Sequence, residues 1–506
     1  MSESSRIWHP GLAAKIASAE QAATHIRPGD RVGMSGFTGA GYPKAVPGAL
    51  GDRMRAAHAR GENFRIEVLT GASTAPELDG VLAEVDGVSR RLPFQSDPKM
   101  RDDINAGIVD YIDVHLSHVA EFTWFGFYGP LDVAVVEVTA IREDGLLIPS
   151  TSVGNNKTWL DLADRIILEV NSAQPLGLEG MHDVYYGTAL PPHRLPVAIN
   201  APGDRIGSPY LQVDPDRVVA VVETSLPDRN NTFAPVNENS SRIAEHLIDF
   251  LAHEQTLGHL PPTLLPLQSG VGNVANAVLQ GLEASGLRGL TAYTEVIQDG
   301  MLRLIRNGVI ETASTTSLSL SAEANAEFAR DIDFYREHIV MRTQEISNHP
   351  EVVRRLGVIG MNGMLEADIY GNVNSTHVMG SKMMNGIGGS GDFARNGYFT
   401  AFLSESTAKA GAISAIVPMV SHVDHTEHDT AILVTEQGLA DLRGKSPRRR
   451  AQEIIDRCAH PDYRPMLQDY FDRALQHSAG LHTPHLLDEA LSWHQRYLDT
   501  GSMRRS

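Results

Sequence analysis

Short runs of β-branched and apolar residues alternate along this chain with longer stretches whose apolar positions recur at helical spacing. Arg31-Val-Gly-Met-Ser, Ile66-Glu-Val-Leu-Thr, Val133-Ala-Val-Val-Glu, Arg165-Ile-Ile-Leu-Glu-Val and Arg217-Val-Val-Ala-Val-Val-Glu predict strands. So do Ile413-Ser-Ala-Ile-Val-Pro and Thr430-Ala-Ile-Leu-Val-Thr. Unbroken Val and Ile mark strands covered by helices on both faces, and hence a mostly parallel sheet. Residues 224–241 are rich in Asn, Pro, Ser and Asp and lack periodicity, which predicts an interdomain linker. A helix is expected from about Ser240 through Glu254. Another, amphipathic with proline at its start, is expected from Pro484 to Tyr497.

The pattern also repeats. Val32-Gly-Met-Ser-Gly36 runs into a glycine-rich loop and a helical pattern near Ala45, and Leu264-Leu-Pro-Leu-Gln-Ser-Gly270 does the same into Val271-Gly-Asn-Val-Ala-Asn-Ala. A strand follows in each half: Ile66-Glu-Val-Leu-Thr-Gly-Ala-Ser73 matches Leu290-Thr-Ala-Tyr-Thr-Glu-Val-Ile297. Further on, Val138-Thr-Ala-Ile-Arg-Glu-Asp-Gly145 resembles Glu366-Ala-Asp-Ile-Tyr-Gly371. The expected fold is therefore α/β, with two related open domains of mostly parallel sheet, residues 1–228 and 229–506. In this alignment Glu295 stands where the first half has Gly71. One half has gained a carboxylate at a strand end, where open α/β sheets bind ligands.

A length of 506 residues suits two domains. A net charge of −19 argues against a nucleic-acid partner, since phosphate contacts need clustered Lys and Arg. The single cysteine, Cys458, cannot form an internal disulfide and reads as core. No secretory pattern occupies Met1 to Lys15 and no apolar run reaches membrane-spanning length, so a cytoplasmic protein without a membrane partner is expected.

Four segments carry candidate chemistry. Gln268-Ser-Gly-Val-Gly-Asn-Val274 follows a strand and opens a helix, where glycine permits close backbone approach and free N–H groups face an anion. With Ala275 in third position it also fits a dinucleotide fingerprint, which keeps a nicotinamide-dependent oxidoreductase open. Tyr293-Thr-Glu-Val-Ile-Gln-Asp-Gly300 sets Glu295 within a strand-like run, where an unpaired buried carboxylate is costly. The glycine-rich stretch from Val378 to Arg395 offers backbone N–H groups, with Lys382 and Arg395 as local positive charge. Val434-Thr-Glu-Gln-Gly-Leu-Ala-Asp-Leu-Arg-Gly444 puts Glu436 just past a strand with Arg443 seven residues on. His422, His425 and His428 match no well-defined zinc spacing, so no metal site is expected. A Gly-x-Ser-x-Gly elbow is absent from any strand-helix turn.

Together these segments resemble the acetyl-CoA hydrolase/transferase group of class I CoA-transferases. The resemblance extends over essentially the whole chain. It includes Gly33-Met-Ser-Gly-Phe-Thr-Gly-Ala-Gly-Tyr-Pro-Lys44, Leu69-Thr-Gly-Ala-Ser-Thr74 and His460-Pro-Asp-Tyr-Arg-Pro-Met-Leu. It implies an active site in an interdomain cleft, a homodimer, and no required cofactor beyond CoA and acyl-CoA as substrates. The implied partners are succinyl-CoA, acetyl-CoA, acetate and succinate, in acetate metabolism or at the succinyl-CoA step of the tricarboxylic acid cycle. By the same resemblance Glu295 is the nucleophile, with Asn348 and Glu436 beside it. CoA is cradled by Ser269, Gly270, Val271, Gly272 and Asn273, by Asn385 and Gly389, and by Lys409. Backbone N–H groups of Val271 and Gly389 are the expected oxyanion donors.

Overall fold

The computed structural model describes residues 5–229, 235–477 and 480–505. The chain forms two compact units. One is Met1–Thr232 with Ala292–Ile305 and Glu311–Leu356, and the other is Phe233–Thr291 with Arg306–Ile310 and Gly357–Ser506. This differs from a single division at 228/229. Strand pairing is the physical reason: Ile310–Thr315 pairs in parallel with Ile339–Arg342, which pairs in parallel with His182–Asp183, so segments far beyond residue 229 are tied to one before it.

The first unit's main sheet runs Asp110–Tyr111, Val88–Leu92, Ile66–Leu69, Arg31–Met34, Val133–Ile141, Arg165–Asn171, Val218–Thr224. Every one of these neighbours is parallel. Leu147–Pro149 folds back antiparallel on Val133–Ile141. All nine residues of Val133–Ile141 are buried, as expected of a strand covered on both faces, and they include the polar Glu137 and Thr139. Strand order reverses at Arg31–Met34, which has Ile66–Leu69 on one side and Val133–Ile141 on the other. The 36–41 glycine loop leaves the carboxyl end of that strand, at the switch point where such sheets bind ligands. Helix Ala45–Ala59 follows, and the buried Glu169 carboxylate accepts from the amides of Ala45 and Val46 in its first turn and of Lys44 just before it.

In the second unit Leu267–Ser269, Ile359–Gly363, Phe399–Leu403 and Ile432–Thr435 are parallel neighbours, and Gly438–Asp441 is an antiparallel edge. Residues 230–234 of the expected linker lie outside the described residues. The next helix is Glu238–Thr256, starting slightly before its expected position. A reciprocal cap sets the start: Asn237 Oδ1 accepts from Ser240 N at 2.7 Å and Ser240 Oγ accepts from Asn237 N at 2.9 Å. Cys458 is a core residue, its thiol pushed up to about 12 by burial. The helix expected over 484–497 forms only as Ser492–Thr500. Upstream, Tyr370 Oη donates to Pro484 O, and Leu486 N donates to Tyr470 Oη at 3.1 Å. Tyr370 thereby takes the Pro484 carbonyl that a helix would have paired, and Tyr470 anchors the chain at Leu486.

Candidate active site

Strand Leu290–Tyr293 stops at Thr294 and resumes as Val296–Ile297, leaving Glu295 in the break. The break is held by hydrogen bonds. The Glu295 carbonyl accepts from Thr316 N at 2.9 Å, Ser317 N at 3.1 Å and Thr315 Oγ1 at 2.8 Å, and Thr294 N donates to Ser314 O at 2.9 Å. Residues 314–317 are thus the cradle of Glu295. Sequence reading missed them, because a Ser-Thr-Thr-Ser run carries no periodic signal.

The half-buried Glu295 side chain accepts at Oε1 from Asn348 Nδ2, 2.9 Å away. Asn348 is fully buried, and Ser347 Oγ lies 2.8 Å from its Oδ1, which orients Nδ2 toward the carboxylate. Burial pushes the Glu295 carboxyl up to about 7, and the Asn348 bond opposes it in part. Its neighbour Val296 belongs to a small apolar cluster with Phe37, Ala72 and Leu116, which helps exclude water. A carboxylate desolvated in this way is a stronger nucleophile than one in water.

The two residues meet because their elements are tied. Tyr293 Oη donates to Ile346 O, joining a point two residues before Glu295 to one two residues before Asn348. Tyr293→Phe removes one of the two donors to that buried carbonyl, which keeps His349 N at 3.1 Å. We expect a loss of about 0.5–1.5 kcal/mol in a denaturant melt, with weaker Glu295 reactivity. An unchanged melt would show that the tie contributes nothing.

The Glu295 break also rests on the 36–41 loop and on residues 151–154. Ser317 Oγ donates to Phe37 O at 2.8 Å, Leu318 N to Thr151 O at 3.0 Å and Val153 N to Thr316 O at 2.9 Å. Gly71, the repeat counterpart of Glu295, has no room for a side chain: a Cβ there would lie 2.8 Å from Gly36 O and 3.1 Å from Gln344 Oε1.

The other candidate residues belong to the second unit. Ser269 ends a strand. Val271 is exposed, Gly272 takes a left-handed φ of 123°, and Asn273 begins the helix Asn273–Ala284. Asn385 donates to Gly386 O at 3.1 Å, and Gly389 caps the short helix Ser390–Asn396. Among the described residues the amides of Val271 and Gly389 have no hydrogen-bond partner. The glycine-rich stretch is organised, with His377–Val378 paired antiparallel to Lys382–Met383 before that helix. Lys409 is exposed at the tip of a hairpin, with φ of 52°.

Glu436 accepts from Ser406 N at 2.7 Å, from Ser406 Oγ, and from Gln437 Nε2 at 2.9 Å. Burial pushes its carboxyl up, but these donors outweigh burial and hold it below the usual carboxylate range. Arg443 is not its companion. The guanidinium makes a two-pronged bridge to Glu254 at 2.8 and 2.9 Å and also pairs with Asp441. His425 Nε2 sits 3.0 Å from Ser390 Oγ, and His422 lies beside Asp424. Among the described residues no group of three or more His, Cys, Asp or Glu could hold a metal, and no helix is long and apolar enough to cross a membrane.

Comparison with known proteins completes the picture. The family model of the acetyl-CoA hydrolase/transferase N-terminal domain matches residues 10–223, and that of the C-terminal domain matches residues 325–471. A succinyl-CoA:acetate CoA-transferase of Clostridium kluyveri is 52% identical over 99% of this chain and 92% of its own. An acetyl-CoA hydrolase of Schizosaccharomyces pombe is 44% identical over 99% of this chain and 98% of its own. The crystal structure of RipA from Yersinia pestis superposes with a TM-score of 0.71 at 23% identity, covering 92% of this chain and 98% of that one.

Proposed function

The chain belongs to the acetyl-CoA hydrolase/transferase family, enzymes acting on CoA thioesters, and from that premise we propose that it transfers CoA between succinyl-CoA and acetate, with Glu295 as nucleophile. The observation that carries this reading is the Glu295 carboxyl, raised to about 7 in a strand break and held by Asn348. The similarity to the Clostridium transferase supports the choice of substrates.

The Glu295 carboxylate attacks the thioester carbonyl, the C–S bond breaks, and CoA leaves as thiolate. The product is an acyl-glutamyl anhydride. The thiolate then attacks the glutamyl carbonyl and expels the first carboxylate, leaving a Glu295–CoA thioester. An acceptor carboxylate runs the same steps in reverse, giving ping-pong kinetics. Each addition creates an oxyanion. The unpartnered amides of Val271 and Gly389 are its donors in this reading, each worth roughly 3 kcal/mol. Ser269, Gly270, Gly272, Asn273, Asn385 and Lys409 hold CoA, and Glu436 assists beside the nucleophile. A cytoplasmic homodimer belongs to the same reading.

Incubation with succinyl-CoA or acetyl-CoA, without acceptor, tests it by intact mass and peptide map. A CoA adduct on the Glu295 peptide that acetate discharges as acetyl-CoA is the expected result. Free CoA released without an adduct would favour acetyl-CoA hydrolysis, the activity named for the Schizosaccharomyces pombe relative. Absence of both the adduct and free CoA would sink both readings.

Only the carboxylate form of Glu295 attacks. The kcat/KM of the loading step should therefore rise with pH and level off above about 7. Asn348→Ala removes a donor that favours the charged form and should move that limb to higher pH. Rapid-quench loading rates across pH would check both, and a limb near 4.5 would contradict the desolvated site.

A further inference from the structure

The motif that ends at Lys44 has no part in the chemistry above, yet it supplies the centre of a buried charge cluster. Lys44 Nζ donates to Tyr42 O at 2.9 Å, to Glu137 Oε2, and to Asp228 Oδ1 at 2.9 Å. All three ammonium protons are used. Glu137 Oε1 accepts from Ser150 Oγ at 2.5 Å and Gln174 Nε2 at 3.2 Å, and its Oε2 also accepts from Asn171 Nδ2 at 2.9 Å. Asp228 Oδ1 also accepts from Gly41 N at 3.0 Å, and Oδ2 accepts from Thr151 Oγ1 and from Gln174 Nε2 at 3.0 Å. The side chains of Lys44 and Glu137 are 1% and 0% exposed, and that of Asp228 is 12% exposed.

Two carboxylates around one ammonium is an expensive arrangement, tolerable only when every lone pair and proton is satisfied. Here it is satisfied by groups that continue toward Glu295. Gly41 ends the 36–41 loop, pressed so closely on residue 152 that a Cβ would lie 2.5 Å from Ser152 Oγ. The same loop receives Ser317 Oγ at Phe37 O and Ser319 Oγ at Thr38 O. Thr151, held by Asp228 through its hydroxyl, receives Leu318 N at its carbonyl. Both routes end on the segment whose Thr315, Thr316 and Ser317 donors grip the Glu295 carbonyl.

We propose that Lys44, Glu137 and Asp228 form a positioning cluster that holds the backbone under Glu295 in its reactive geometry, so that Asp228 governs the covalent step without touching substrate. This rests on Glu295 as the nucleophile. Asp228→Asn keeps the shape and the bonds at Oδ1, but removes the charge and sets an N–H group against the Gln174 donor. Thr151→Val cuts the Thr151 tether alone and leaves all three charges in place.

The test is single-turnover loading of the full chain with acetyl-CoA, followed by intact mass at varied acetyl-CoA concentration. The rate constant reads the reactivity of folded enzyme, while the amplitude reads how much enzyme is folded. Asp228→Asn should lower the saturating rate constant roughly tenfold to hundredfold, as small misplacements of a reacting group do, with half-saturation nearly unchanged. Thr151→Val should lower it in the same direction by less, and it serves alone if the first variant does not fold. Wild-type rate constants with reduced amplitude would overturn the inference while leaving the Glu295 reading intact. A wild type that forms no adduct would overturn the Glu295 reading and this inference with it.

Discussion

Glu295→Gln is expected to yield a protein that is more stable than the wild type at pH 8 and has lost its turnover. The folded protein holds this carboxyl at about 7, against an ordinary 4.5. A group with a raised folded pKa binds its proton more tightly when folded, so the native state gains on acidification between those values. Above 7 the native state bears the whole cost of an ionised, desolvated carboxylate, corresponding to roughly 3 kcal/mol. Glutamine removes that cost and can still accept from Asn348 Nδ2, so thermal stability should rise at pH 8 and match the wild type near pH 4.5. Catalysis should move the opposite way. Without a carboxylate no anhydride or thioester can form, and loss of a nucleophile lowers kcat by on the order of 10⁴ or more. Thermal melts at pH 4.5 and 8, with turnover of succinyl-CoA and acetate, check both halves. Turnover above about one per cent of wild type would remove Glu295 from the chemistry. An unchanged melt at pH 8 would mean the site is better solvated than its geometry implies.

Arg342→Ala is expected to cost roughly 3–5 kcal/mol, the usual penalty for stripping one partner from a buried ion pair. The fully buried guanidinium pairs with Asp183, donates through Nη2 to Pro202 O at 2.8 Å and to Asp204 O, and donates through Nε to Ser314 Oγ at 2.7 Å. Ser314 O in turn receives Thr294 N, next to Glu295. Arg342 ends the strand Ile339–Arg342, six residues before Asn348, so its loss should loosen both sides of the Glu295–Asn348 contact. Removing Arg342 alone leaves the Asp183 carboxylate buried without its counter-ion, although Ile206 N and Gly207 N still donate to it. The double variant Arg342→Met with Asp183→Asn should therefore recover part of the loss, because no uncompensated charge remains. Urea midpoints of the single and double variants measure this. A single variant as stable as wild type would show that water reaches the site and screens Asp183.

Local patterns settled much of this protein in advance. Val and Ile runs buried on both faces became strands of the parallel sheets at residues 31–34, 66–69, 133–141, 165–171, 218–224 and 432–435, whereas the run at 413–418 split into Ile413–Ser414, antiparallel to Thr407–Ala408, and Ile416–Val417 in a small separate sheet, because its length is shared between two local pairings. Glycine after a strand and before a helix marks a backbone turn that side chains would obstruct, and both the 36–41 loop and residues 270–272 follow that rule. A carboxylate at the end of a strand, Glu295, stood out for the same local reason. What could not be read is what depends on groups far apart in the chain. Asn348 lies 53 residues from the carboxylate it contacts, and Arg443 finds Glu254 across 189 residues in preference to nearby Glu436. Upstream of Ser492, Tyr370 takes the Pro484 carbonyl and Tyr470 accepts from Leu486 N, long-range contacts that periodicity does not report. Division into compact units follows the pairing of Ile339–Arg342 with His182–Asp183, which no composition shift records. Periodicity reports which face of an element is buried and is silent on what covers it. Hydrogen bonds and ion pairs are made only after the elements pack, so the partners of Glu295, Lys44 and Arg342 were decided by the tertiary structure.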